Sequence, residues 1–155
     1  LYLYKLLKPV NRNVAWLMVI FLFLGMPIAM LNEVNHAAVL TLLHSPEPSY
    51  ALVELFIELH EYGIQIASIF WGLWLFPMGY LAFKSNYIPK LIGVMLMIGC
   101  FGYLADSFIY LLMPDLGIEF AQYTFIGEIA LPLWLLIRGV NVEQWQKKAV
   151  ALQSA

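Results

Sequence analysis

Residues 14–31 read VAWLMVIFLFLGMPIAML, a run without a charged side chain. An apolar stretch of about 18 residues or more is long enough to cross a bilayer as a helix. Three further apolar segments follow it. Membrane helices are therefore expected at 14–43, 50–83, 90–113 and 119–138. All eight Lys and Arg residues fall at the same ends of these segments. Lys5, Lys8 and Arg12 precede the first, and Lys84 and Lys90 separate the second from the third. Arg138 ends the fourth, and Lys147 and Lys148 follow it. The other two connections carry His44, Glu47, Asp115 and Glu119, with no Lys or Arg. Antiparallel helices put these two sets on opposite faces of a bilayer, and short Lys/Arg-rich loops stay in the cytoplasm. The reading is an all-α, polytopic membrane helix bundle, with residues 1–155 as a single transmembrane helical domain and both ends cytoplasmic.

Composition agrees. Hydrophobic residues make up 63% and charged residues 12%, against about 25% charged in soluble domains. A net charge of −2 argues against nucleic acid as a partner. The basic ends suit anionic headgroups, so the lipid bilayer itself is the expected partner. Cys100 is the single cysteine, which excludes an intramolecular disulfide. No signal-peptide pattern is visible. Residues 1–8, LYLYKLLK, read as the end of a preceding helix, so about six helices are expected in a longer full-length protein.

Along the chain, the first long helix should start after Pro9 and Asn11, with Asn13 as its N-cap. SPEPS at 45–49 and PDLG at 114–117 are turns, and Asn86 and Pro89 mark the basic loop. The tail at 142–153 places Val142, Trp145, Ala149 and Leu152 at helical spacing beside Lys147 and Lys148. That pattern suits a helix lying in the inner interface. A helix from Arg12 to Leu43 is about 46 Å long, more than the hydrocarbon thickness of about 30 Å. The outer ends of the first two helices should therefore project.

Asp106 and Glu128 are the leading site residues. A carboxylate in hydrocarbon costs roughly 2.5–3.5 kcal/mol, so each must face the bundle interior, pair or stay protonated. Counted from the outer helix ends they lie about 10 Å and 13 Å deep. Gly99, Gly102 and Asp106 share one helix face; Thr124, Glu128 and Pro132 share another. Two adjacent carboxyls split their titration, which suits a proton relay or cation site. The plainer alternative is a protonated pair joining helices three and four. Glu54, Glu58, Glu61, Gln65, Ser68, Gly72 and Gly79 form a stripe along the second helix, acidic outside and small inside. Asn32, Asn35 and His36 form a matching polar face on the first.

Asp106, Glu128, Glu58, His60, Glu61, Gln65, Asn32 and Asn35 are thus the expected ligand-binding residues. A metal site can be drawn from His36, His60, Glu58 and Glu61, all acceptable zinc ligands. No His-Glu-x-x-His spacing supports it, and a solvated hydrogen-bonded rim explains the same residues. No phosphate loop, serine elbow or cysteine pair is present. Haem needs a His deep in the membrane, and none lies there. The sequence therefore names no catalytic residue and no cofactor.

The segments LLKPVNRN at 6–13, LHEYG at 59–63, GYLAFKSNYIPKLIGVML at 79–96, GYLADSF at 102–108 and GEIALPLWLLIRGVN at 127–141 carry a resemblance. Together they resemble the bacterial multi-pass membrane family known as domain of unknown function four-three-eight-six. The resemblance covers most of the chain and implies about two further helices at the N-terminus and a bacterial inner-membrane location. Its matching positions are His60, Tyr62, Gly63, Asp106, Ser107, Gly127 and Glu128. Many members carry a His where this chain has Trp74. The resemblance implies no activity. Three functions remain open. The first is a non-enzymatic membrane protein whose outward-facing acidic pocket binds a small ligand, cation or lipid. The second is an accessory or assembly subunit that binds other membrane subunits. The third is a metal-dependent intramembrane enzyme.

Overall fold

The computed structural model describes residues 1–153, with side chains to Ala151. Leu152, the last of the tail stripe, lies beyond the described side chains. The described residues form helices and no strand: α1 (Tyr2–Leu7), α2 (Arg12–Leu43), α3 (Tyr50–Ser85), α4 (Lys90–Leu112), α5 (Ala121–Thr124), α6 (Ile126–Ile137) and α7 (Val142–Gln153). Helices α2, α3 and α4 are each long and apolar enough to cross a membrane. The α5–α6 segment makes a fourth if it and α7, bent from it by 104°, count as one broken span.

Asn11, in extended backbone, caps α2. Its side chain accepts from the backbone N–H of Asn13 at 3.0 Å and of Val14 at 3.1 Å. The cap expected at Asn13 is corrected: Asn13 already lies in the first turn, and the residue before the helix is the one whose side chain meets the open N–H groups. Helix α3 stops where Asn86 adopts a left-handed conformation, φ 65°, which Asn tolerates better than most residues. The segment expected as one helix over 119–138 starts instead at Ala121 and breaks at Phe125.

Helix α3 is the centre of the bundle, flanked by α2 and α4. Its contact with α4 is backbone to backbone. A methyl on Gly79 would lie 2.6 Å from the Gly93 carbonyl oxygen, and one on Gly93 2.6 Å from the Phe83 nitrogen. Small residues allow such approach where neither partner gains from a hydrophobic driving force. On the far side of α4, Gly127 meets the backbone of Met95 and Leu96, and Gly102 meets the Thr124 side chain. The core runs through Leu75, Met78, Leu81, Ile92, Leu96 and Leu131. Outside it, α2 exposes Trp16, Ile20, Phe23, Leu24 and Met30, the surface of a helix with apolar surroundings on most sides.

The basic end is tied by hydrogen bonds between the chain's start, the α3–α4 loop and α7. Buried Ser85 donates to the Ala82 carbonyl at 2.7 Å and accepts from the Ile88 N–H at 3.1 Å. The Tyr87 hydroxyl and the Trp145 indole N–H both donate to the Leu6 carbonyl, at 2.6 Å and 3.0 Å. Burial pushes the Tyr87 phenol up from its ordinary range. Lys148 donates to the Lys84 carbonyl at 2.6 Å. Burial, and then the nearby Lys84 charge, hold its ammonium below the usual lysine range.

Candidate functional site

At the acidic end, α3 presents consecutive residues to different neighbours, because successive helical residues point about 100° apart. Glu61 turns toward α4 and accepts from the Tyr110 hydroxyl at 2.8 Å. Tyr62 meets the Tyr110 ring edge-on at 5.5 Å. Glu58 is exposed and within electrostatic reach of Tyr110. One turn deeper, Gln65 joins Asp106, Ile109, Tyr110, Ile118 and Glu119 around a cleft of about 260 Å³. Asp106, half-buried, is part of its lining. Its two oxygens accept from the backbone N–H groups of Phe120 and Ala121 at 2.6 Å and 2.7 Å. It therefore anchors the connection leading into α5, a use of the carboxylate that hydrophobic periodicity does not reveal.

His60 turns the other way, toward α2. Asn32 is buried there, 8% exposed. Its amide donates to the His60 carbonyl at 2.7 Å and lies 3.2 Å from His60 Nδ1. Its side-chain oxygen accepts from Asn35 at 2.8 Å. Gly63 leaves the space that Asn32 fills, since a Cβ on Gly63 would overlap the Asn32 amide. Helical spacing then brings His36 over His60, with ring centroids 3.7 Å apart and planes 27° apart. Glu33 lies 3.0 Å from His36 Nδ1. Of the expected metal set, His36 and His60 meet; the carboxylate beside them is Glu33, not Glu58 or Glu61.

Glu128 lies in a third place. It lines a mostly apolar cavity of about 250 Å³ with Leu3, Trp74, Met78, Leu131 and Pro132. One carboxyl oxygen, Oε1, is buried without a hydrogen-bond partner, and Tyr103 lies beside the group. Tyr103 is within electrostatic reach of both carboxyls, but Asp106 and Glu128 line separate cavities. Buried Ser107, next to Asp106, likewise has an unpartnered hydroxyl.

Sequence reasoning passed over Glu33, Tyr103, Tyr110 and Glu119 as site residues. Glu33 carried a signal, the i,i+3 spacing to His36. Tyr103 carried the same spacing to Asp106. Tyr110 and Glu119 carried none, because their roles depend on how α3, α4 and the following connection meet.

A protein of Archaeoglobus fulgidus described as uncharacterised is 31% identical over 146 residues, covering 92% of this chain and 75% of its own length. No solved structure matches. Three of the positions matched in the resemblance sit where elements meet: Gly63 against Asn32, Gly127 against Met95 and Leu96, and Asp106 against the start of α5. A family model matches residues 1–139, and the chain belongs to that family, described as Domain of unknown function (DUF4386).

Proposed function

We propose that this chain is a multi-pass protein of the cytoplasmic membrane, basic face inside, that binds a small cationic ligand in an outward-facing cleft between α3, α4 and the connection before α5. The observation that carries the reading is the lining of that cleft. Gln65, Asp106, Tyr110 and Glu119 line a space of about 260 Å³, near the lower bound of about 300 Å³ for ligand pockets. Glu61 holds Tyr110 in place. Every formal charge at the cleft is negative, and a concave acidic site favours cations. Glu58 belongs to the neighbouring rim, Asn32, Asn35 and His60 to the α2 side of α3, and Glu128 to the separate cavity beside Trp74. Segregation of all eight basic residues supports the orientation.

The test is thermal unfolding of purified protein in detergent with a chelator present. Tetramethylammonium is compared with tetrabutylammonium, which exceeds the cleft. The smaller ion should raise Tm, and Glu119→Gln or Gln65→Ala should reduce the rise. Equal responses to both ions, or none to either, would sink the reading.

A further inference from the structure

We propose that Glu33, His36 and His60 form a binding site for a divalent transition-metal ion of the zinc class, bridging α2 and α3. One donor atom from each residue lies within 4.8 Å of the other two. Two imidazoles and a carboxylate are a donor set that zinc accepts at about 2.0–2.2 Å, with the fourth position left to water. In a tetrahedral site at that radius the donors stand about 3.3 Å apart. The side chains must therefore close in by at most about 1.5 Å. Glu33 and His36 have the freedom to do so, being 62% and 51% exposed.

The surrounding bonds orient the rings. His36 Nδ1 faces Glu33 Oε2 at 3.0 Å. His60 Nδ1 lies 3.2 Å from the Asn32 amide nitrogen and 3.4 Å from the Asn32 carbonyl oxygen. An ion replaces the Glu33–His36 contact, taking one Glu33 oxygen and one nitrogen of each ring. Asn32 holds the His60 ring as outer partners hold metal-bound histidine. Asn32 is the rigid part of the site: it is buried, bonded to the α3 backbone, and seated in the space left by Gly63. The stacked rings come from two different helices, so an ion held between them cross-links α2 to α3. The site lies on the α2 side of α3, away from the cleft proposed above, and does not depend on it.

The experiment uses the full chain in detergent, stripped with chelator and returned to metal-free buffer. Zinc is titrated calorimetrically, and cobalt is titrated by visible absorption to report tetrahedral coordination. The parent should bind one zinc per chain and gain Tm. The double variant His36→Ala, His60→Ala should weaken binding beyond the roughly 10- to 100-fold typical of outer partners and lose the Tm gain. Glu33→Gln alters an exposed side chain and so tests the site even if the double variant misfolds; it should weaken zinc at least about tenfold. His44→Ala, at the exposed end of α2, should match the parent. Absence of zinc binding by the parent, or unchanged affinity in Glu33→Gln or in a folded double variant, would overturn the proposal.

Discussion

Asp106→Ala removes the acceptor for two backbone N–H groups at the start of α5, Phe120 and Ala121. Hydrogen bonds to a charged group contribute roughly 1.5–3 kcal/mol each. The Phe120 bond is exposed, so water replaces much of what it loses. A combined loss of about 2–3 kcal/mol is expected, more than the roughly 1 kcal/mol of an ordinary cap. At 1.4 kcal/mol per factor of ten, local opening should become about 30- to 140-fold more frequent. Hydrogen exchange read by mass spectrometry on peptides covering 118–125 measures this directly. Asp106→Asn keeps one acceptor oxygen but turns an amide toward the second N–H, so it should fall between parent and Ala. The effect should be local, leaving peptides from α2 unchanged. Exchange in Asp106→Ala within about twofold of the parent, the scatter of a neutral surface change, would refute the reasoning and return Asp106 to a role in binding alone.

Gly79→Ala should cost about 1–3 kcal/mol by overpacking, because its new methyl meets the Gly93 carbonyl at 2.6 Å; Tm in detergent reads this. Tyr87→Phe loses the bond to the Leu6 carbonyl and should cost about 0.5–1.5 kcal/mol near neutral pH. The folded Tyr87 pKa is raised by burial, so its contribution is complete below the unfolded value of about 10 and fades as pH rises from there through the folded value. The Tm gap between parent and Tyr87→Phe should therefore narrow in alkaline buffer, and a gap that widens contradicts the assignment. Asn86→Cys and Leu116→Cys, each in a Cys100→Ser background, should label from opposite sides of a sealed vesicle; labelling from one side would undo the proposed topology.

Helix existence was legible because it is local. Eighteen-residue stretches such as 14–31 need no tertiary information, and Asn86 ends α3 and Pro89 precedes α4 through their own backbone preferences. The Asn11 cap was missed by two residues because either Asn satisfies the same rule, and only the backbone decides which precedes the first turn. The site was less legible. Asn32 pairs with His60, Glu61 with Tyr110, and Asp106 with Phe120 and Ala121. Each pairing depends on the rotation of one helix against another, which periodicity within a helix does not fix. Asp106 and Glu128 looked like partners because both are rare intramembrane acids at similar depth. A backbone N–H carries no letter in the sequence, so the actual partners of Asp106 had no signature to read.

A carbonyl oxygen has two lone pairs, and that of Leu6 gives one to Tyr87 and the other to Trp145. The start of the chain, the hairpin after α3 and the amphipathic tail are thus knotted at a single atom. Peeling away the tail would also slacken the grip on the opening turn, so a force applied at either terminus is shared with the other rather than spent at the point of pulling.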